Sequence, residues 1–230
     1  MKTIGLLGGM SWESTLTYYQ EINTGVKKKL GGLHSAQIVL YSIDFDPIEK
    51  LQHCGDWEGT ARILSNAARS IEAAGADFFL ICTNTMHKVS DEVAASVEMP
   101  LLHIADATAT VLLENKIQRV GLLGTAFTME QDFYKGCLTE KHGLEVLVPD
   151  ENGRRRVHDI IYKELCLGVC RPGSKAAYLA IVDRLGKMGA QAVILGCTEI
   201  GLLIGQADTT MPLFDTAKIH AAEAVARALA

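Results

Sequence analysis

Two short polar segments contain the residue types best suited to chemistry in this sequence. Thr83-Asn84-Thr85 follows the apolar run 78–82, and Cys197-Thr198-Glu199 follows the apolar run 192–195. In parallel α/β sheets, ligands gather beyond the carboxyl ends of strands, where backbone N–H groups and helix N-termini point into a crevice. A thiol and a hydroxyl on opposite faces of one carbon atom could exchange its proton, which is the chemistry of a racemase. Alternatively, the threonines and the asparagine cap the turns after the strands.

The two segments occupy equivalent places in an internal repeat. Three blocks recur in the same order, and their separation shortens by only two residues from one block to the next: 4–8 with 120–124, 75–83 with 189–197, and 99–101 with 211–213. The gapless second block aligns Thr83, and not Cys82, with Cys197. We therefore expect two similar domains related by pseudo-twofold symmetry, with Thr83 and Cys197 on opposite sides of one active-site cleft.

The elements that position these residues alternate between short β-branched or Leu-rich runs and longer amphipathic stretches. This pattern predicts an α/β fold with parallel sheets. The predicted strands are 3–7, 37–42, 78–82, 119–123, 145–148 and 192–195, with shorter ones near Leu101 and Leu213. A helix is predicted over 174–188, where apolar residues recur at helical spacing after Pro172-Gly173. We expect an N-terminal domain over 1–98, a C-terminal domain over 99–212, and a tail over 213–230 that packs back on the first domain.

Composition excludes several classes of protein. The 230 residues are 48% hydrophobic and 21% charged, which is typical of a globular chain and not of a disordered one. A formal net charge of −5 without a long basic run argues against a nucleic-acid partner. No segment reaches the roughly 18 uncharged apolar residues that a membrane span needs. We expect a cytoplasmic protein whose six cysteines are free thiols, and the sequence leaves a homodimer open.

Other motifs are weaker. Gly5-Leu6-Leu7-Gly8-Gly9 lacks the spacing of a dinucleotide loop, and the sequence has no Walker-type phosphate loop, so nucleotide binding is disfavoured. Asp44-Phe45-Asp46 precedes Pro47 and is more typical of a turn than of a metal site, so we predict no metal. His87 is either a base near the cleft or a residue at the start of a helix.

Four motifs taken together resemble the cofactor-independent aspartate/glutamate racemases. They occur in the family's order and span nearly the whole chain: Gly8-Gly9-Met10-Ser11-Trp12-Glu13-Ser14-Thr15, Thr83-Asn84-Thr85-Met86-His87, Gly124-Thr125-Ala126-Phe127-Thr128 and Gly196-Cys197-Thr198-Glu199. The family's usual first motif is Cys-Asn-Thr, with one catalytic cysteine in each half. Here Thr83 takes the first position, as in the bacterial subgroup that is specific for L-aspartate and L-glutamate.

The resemblance implies racemisation by two-base proton exchange at Cα, without pyridoxal phosphate or another cofactor. Cys197 would remove the proton of the L-enantiomer, and we expect electropositive surroundings or a helix N-terminus to lower its pKa. Thr83 would donate a proton from the other face but would begin the reverse reaction poorly. L-substrates should therefore be favoured, although equilibrium requires equal kcat/KM in both directions.

The resemblance and the positions of the strand ends also suggest which residues bind the amino-acid substrate. Donors for its α-carboxylate and the developing enolate are expected from the strand ends and the residues beside them. The predicted substrate-binding residues are Met10, Ser11, Gln52, Asn84, Thr85, Thr125, Lys163, Thr198 and Glu199. Some relatives that use aspartate carry an Arg near Gln52, so a neutral amide there could relax side-chain selectivity. Lys163 is either a compensating cation or an ordinary solvated helix residue.

Two other functions stay open at this point. One is a racemase of neutral or hydroxylated amino acids on the same scaffold. The other is a small-molecule sensor that kept the cleft and lost one cysteine. Activity across a panel of L-amino acids would separate the first of these from an aspartate/glutamate racemase. Failure of deuterium to enter Cα of any ligand would favour the sensor.

Overall fold

A computed structural model describes residues 1–230 and divides the chain into two compact units. The first unit comprises residues 1–104 and 220–230, and the second comprises residues 105–219. The strands, in chain order, are β1 (Ile4–Gly8), β2 (Ile38–Ser42), β3 (Phe78–Ile81), β4 (Arg119–Gly124), β5 (Glu145–Leu147), β6 (Ala192–Gly196) and β7 (Leu213–Asp215). Every strand predicted with explicit bounds is present to within one residue at each end.

Eleven α-helices connect the strands. They are α1 (Trp12–Leu30), α2 (Phe45–Cys54), α3 (Trp57–Ala73), α4 (Ser90–Ala94), α5 (Ile104–Glu114), α6 (Ala126–Glu130), α7 (Asp132–Gly136), α8 (Glu151–Lys163), α9 (Pro172–Lys187), α10 (Ile200–Leu203) and α11 (Thr216–Leu229). Short 3-10 helices cover Thr85–Val89, Leu165–Leu167 and Gln206–Asp208, and a π-helix covers Cys137–Lys141. No helix is both long enough and apolar enough to cross a membrane.

The first unit is built on a three-stranded parallel sheet in the order β2-β1-β3. The central strand β1 is buried along its whole length. α3 begins at the Asp56 cap, whose carboxylate accepts a hydrogen bond from the Gly59 amide at 2.8 Å, and it buries the apolar face that includes Leu64 and Ile71. Each such fully buried aliphatic side chain contributes roughly 1.5–3 kcal/mol. The sheet and α3 thus provide a rigid base for the residues that follow the strands.

The second unit has a four-stranded parallel sheet in the order β5-β4-β6-β7. Its central strands β4 and β6 are largely buried, and they pair as far as Gly124 and Gly196 at their carboxyl ends. The predicted class, two parallel-sheet α/β domains, is confirmed. The predicted helix 174–188 is also present as part of α9, which begins at Pro172 because proline suits the first turn of a helix.

The internal repeat reappears as equivalent pairing in the two sheets. In the first sheet β1 lies between β2 and β3, and in the second sheet β4 lies in the same way between β5 and β6. Phe79 of β3 forms an isolated parallel bridge with Leu101, and the equivalent Val193 of β6 pairs with Leu213 of β7. The short strand expected near Leu101 is therefore a single bridge, whereas the one near Leu213 is a true strand.

The unit boundaries differ from the predicted domain limits. The predicted boundary at 98/99 lies before the segment that pairs with Phe79, so residues 99–104 belong with the first unit. The predicted tail 213–230 is divided: residues 213–215 form β7 in the second sheet, and only residues 220–230 group with the first unit. Sequence similarity between the repeats located the strands but not the point where the chain changes units.

Candidate active site

The exit of β1 is shaped by a glycine that no other residue could replace without strain. Gly9 has φ +93°, and a Cβ there would collide with the backbone of Ile43. The Gly9 amide donates to the Thr15 hydroxyl at 2.7 Å, and Ser11 caps α1 by accepting from the Ser14 amide at 3.3 Å. These contacts hold Met10 and Ser11, both buried, at the carboxyl end of the sheet.

The exit of β3 lies directly beside the exit of β1, because Leu7 and Ile81 pair in the sheet. The Ser14 hydroxyl donates to the Cys82 carbonyl at 3.0 Å and joins the two exits. Asn84 and Thr85 are buried there. The predicted residues of the first unit that follow these two strands are therefore brought together.

Thr83 and Cys82 have different environments despite being neighbours in the chain. Cys82 is fully buried, and burial raises the pKa of its thiol far above the usual range, so it is held as an uncharged core residue. Thr83 is half-buried and keeps part of its surface accessible. Of these two neighbours, Thr83 is therefore the one that a ligand could reach, and it is also the one that aligns with Cys197.

Gln52 joins the same group from α2. This helix begins at the Asp44 cap, and Asp46 pairs with Lys50 at 2.7 Å, so the Asp44–Asp46 motif forms a helix start. The buried Gln52 amide nitrogen lies 3.6 Å from the Met86 sulfur, within the 3-10 helix that follows Thr83 and Asn84. Together, Met10, Ser11, Gln52, Thr83, Asn84 and Thr85 form what we term the Thr83 group.

The second unit carries an equivalent set at the exits of β4 and β6. Thr125 is buried and caps α6 by accepting from the Thr128 amide at 3.3 Å. Because Gly124 pairs with Gly196, Thr125 and Cys197 follow neighbouring strand ends. Cys197, Thr198, Glu199 and Thr125 form the Cys197 group.

The chemistry of the Cys197 group is dominated by the Glu199 carboxylate. The Cys197 thiol and the Thr198 hydroxyl each donate to Glu199 Oε2 at 2.9 Å. All three residues are buried, and Cys197 is 8% exposed. A carboxylate that accepts a hydrogen bond from the thiol favours the protonated thiol, because a thiolate in the same place would face a like charge.

The expectation that electropositive surroundings lower the pKa of Cys197 is wrong. Burial raises the pKa of this thiol well above its usual value, and the negative charge of Glu199 adds to the effect. Cys166 contributes in the same direction. The isolated chain therefore holds Cys197 as a thiol.

Two residues beside the Cys197 group carried no signal in the sequence. His158 of α8 accepts a hydrogen bond at Nδ1 from the Ala126 amide, at 3.1 Å, directly after Thr125. Tyr178 of α9 is buried, donates to the Val157 carbonyl at 3.1 Å, and has its pKa raised by burial and then by the nearby Cys197. Both come from helices distant in sequence, so only the fold brings them to the strand ends.

Lys163 lies outside both groups as the structure places it. Its side chain is 73% exposed and pairs with Asp159 of the same helix at 2.9 Å. This is the geometry of an ordinary solvated helix residue, and we leave Lys163 out of the proposed site.

Comparison with known proteins decides the family. The family described as Asp/Glu/Hydantoin racemase matches residues 7–224. The chain belongs to this family. It is therefore an isomerase of the racemase class, in agreement with the resemblance found in its motifs.

Two solved structures are similar to this family member over the full length of both chains. One is a candidate Asp/Glu racemase from Yersinia pestis, with 55% identity and a TM-score of 0.93. The other is an aspartate racemase homologue from Pyrococcus horikoshii OT3, with 38% identity and a TM-score of 0.86. Among curated proteins, the broad specificity amino-acid racemase RacX of Bacillus subtilis (strain 168) is 22% identical over 99% of this chain and 98% of its own.

Proposed function

We propose that this protein interconverts L- and D-aspartate or glutamate by proton exchange at Cα, without pyridoxal phosphate, and that it favours L-substrates. One observation carries the proposal. In a chain of the racemase family, Thr83 and Cys197 follow equivalent strands of two equivalently paired sheets. We propose that the two side chains act on opposite faces of the substrate Cα.

The proposed role of Cys197 is to remove the Cα proton of the L-enantiomer. The thiol must first lose its own proton, and the hydrogen bond to Glu199 Oε2 gives that proton an acceptor. The α-ammonium group of a bound substrate would then stabilise the thiolate, since a nearby positive charge lowers a thiol pKa. Proton abstraction would thus depend on substrate binding, which fits the raised pKa of the unliganded thiol.

The proposed role of Thr83 is to return a proton from the other face. A hydroxyl can donate a proton to a strongly basic carbanion, but it forms the corresponding base far less readily than a thiol does. The direction that begins with Thr83 should therefore have a low kcat. Since enantiomers have equal free energy, this must be balanced by a low KM, so L-preference appears in kcat and not in kcat/KM.

The buried polar residues of both groups are proposed to stabilise the substrate carboxylate as the enolate forms. Asn84 and Thr85 would act from the first unit, and Thr125 and Thr198 from the second. Preorganised donors of this kind are often the largest contribution to catalysis. The predicted contacts from Met10, Ser11 and Gln52 are proposed on the same grounds of burial at the strand ends.

A second candidate is a racemase with broad side-chain specificity. Gln52 is a buried neutral amide in the stretch where some aspartate-using relatives carry an Arg. An amide discriminates less strongly in favour of a carboxylate than a bidentate guanidinium does. The similarity to the broad specificity racemase RacX supports the same alternative.

A cytoplasmic location is proposed as well. All six cysteines are free thiols in the structure, and free thiols persist most readily in a reducing compartment.

Chiral chromatography after incubation with a panel of L-amino acids tests the proposed function. Aspartate and glutamate should yield their D-enantiomers without added cofactor, and Cys197→Ser should abolish the reaction. Cys82→Ala is the matched control, because it removes a thiol that the structure buries, and it should retain activity. Comparable turnover of neutral amino acids beside aspartate and glutamate would favour the second candidate, and no turnover with any amino acid would contradict both.

A further inference from the structure

His87 uses both nitrogens of its buried ring. Nδ1 lies 2.8 Å from the carbonyl oxygen of Thr83, and the Ile104 amide donates to Nε2 at 3.3 Å. Because Nε2 accepts a hydrogen bond, it carries no proton in this arrangement. The proton of the neutral ring is therefore on Nδ1, which donates it to the Thr83 carbonyl.

This hydrogen bond closes the loop that contains Thr83. The His87 amide also donates to the Asn84 carbonyl at 3.1 Å, so His87 binds two consecutive carbonyl groups through its backbone and its ring. Fixing the Thr83 carbonyl fixes the peptide plane between Thr83 and Asn84. The direction of the Thr83 side chain depends on that backbone orientation.

Two other histidine rings lie close to the His87 ring. The His103 ring packs against it edge-on at 4.5 Å between centroids, and the His220 ring lies at 6.0 Å. His220 is itself fixed by the Leu102 carbonyl and the Tyr18 hydroxyl, both at 2.8 Å. Burial is the largest cause that lowers the pKa of His87, so the ring stays neutral. A neutral ring locked at both nitrogens is suited to orienting a neighbour and not to acting as a base.

We propose that His87 is a positioning residue for Thr83: its Nδ1–H group holds the Thr83 carbonyl and thereby aims the Thr83 hydroxyl at the substrate Cα. The role rests on the proposed racemase function. It accounts for a buried histidine that takes no part in the chemistry, and it resolves the two interpretations of His87 that the sequence left open. Misplacing a reacting group by about 1 Å can cost about 100-fold in rate.

Two variants separate the two ring nitrogens. The amide nitrogen of Asn in His87→Asn can take the place of Nδ1–H and keep the bond to Thr83. In His87→Gln the amide reaches the Nε2 position, so it can keep the contact with Ile104 but not the one with Thr83. A purely structural role for His87 would not predict which of the two variants is active.

The readout is the fate of L-glutamate in D2O. L-glutamate that gains deuterium at Cα with retention of configuration reports proton exchange by Cys197 alone, whereas formation of D-glutamate also needs Thr83. Wild type and His87→Asn should show the same ratio of inversion to retention. His87→Gln should lower that ratio at least about tenfold, while His220→Gln, which alters the same histidine cluster without touching Thr83, should leave it unchanged.

The outcomes distinguish this role from the proposed function. An equal fall in inversion and retention in His87→Gln, or the same change in His87→Asn, overturns the positioning role. Absence of any exchange in the wild type overturns both the role and the racemase function. If His87→Gln does not fold, nitrogen-15 NMR of the wild-type imidazoles still tests the geometry, which requires the Nδ1–H tautomer of His87; the Nε2–H tautomer overturns the role.

Discussion

The hydrogen bond from Cys197 to Glu199 predicts that removing one negative charge makes the buried thiol more reactive. Glu199→Gln keeps the size of the side chain and an acceptor for the thiol, but it removes the charge that opposes a thiolate. The pKa of Cys197 should therefore fall in this variant. The burial of the thiol, which is the larger cause of its raised pKa, is unchanged in this variant.

The size of the effect follows from the distance between sulfur and oxygen. At an effective dielectric constant of about 20, two unit charges at the 2.9 Å separation of Cys197 Sγ and Glu199 Oε2 repel by about 6 kcal/mol. Since the carboxylate shares its charge between two oxygens, the bonded oxygen alone contributes about 3 kcal/mol, so removing the charge should raise the thiolate population at least about 100-fold. A less basic thiolate is also less nucleophilic, with a Brønsted coefficient of about 0.4–0.5, so at least about tenfold remains in the rate of alkylation.

Iodoacetamide labelling followed by peptide mass spectrometry measures this rate at a fixed neutral pH. The exposed Cys54 serves as an internal reference in every sample. Thr198→Val is a control of opposite sign, because it removes a competing donor to Glu199 and should strengthen the bond to the thiol. An unchanged ratio of Cys197 to Cys54 labelling in Glu199→Gln would refute the electrostatic explanation.

Three other predictions concern the Thr83 group and the first unit. Thr83→Cys supplies a second thiol and should raise kcat with D-glutamate at least about tenfold in a chiral assay; an unchanged kcat would argue against Thr83 as the second acid/base group. Gly9→Ala should lower the free energy of unfolding by about 2–5 kcal/mol, because φ is positive and the Cβ meets the Ile43 backbone, whereas Gly55→Ala, with a left-handed backbone and open space, should cost about 1–2 kcal/mol in urea denaturation; equal losses would contradict the contact. Burial lowers the pKa of His220 to about 3 in the folded chain, so between about pH 6.5 and pH 3 only the unfolded chain binds a proton at this ring. The free energy of unfolding should therefore fall by up to about 1.4 kcal/mol for each pH unit as the pH is lowered through this range. His220→Gln should reduce that slope.

Much of the fold was predictable because its signals are local. Strands such as Ile4–Gly8 and Ala192–Gly196 are short apolar runs that end in small or polar residues, and they alternate with amphipathic stretches. The repeat gave more than the elements alone, because it identified Thr83 as the equivalent of Cys197. The boundary between the units was not predictable in this way, since it depends on one bridge between Phe79 and Leu101 and on the pairing of Leu213.

The site was predictable in its residues but not in its electrostatics. Motif order nominated Cys197 and Glu199, but it did not reveal that the carboxylate accepts the thiol hydrogen bond and raises the thiol pKa. Similarly, no residue pattern favoured one role for His87, because the hydrogen-bond partners of both its ring nitrogens are backbone groups. Backbone partners leave no trace in residue types, and only the folded chain defines them.

Proton NMR of the purified protein in D2O, with L-aspartate and L-glutamate and no added cofactor, tests the central claim most directly. The Cα proton signal should disappear as solvent deuterium replaces it in the wild type, and it should persist in Cys197→Ser. A persistent signal in the wild type, or loss of the signal in both proteins, would contradict proton abstraction by Cys197.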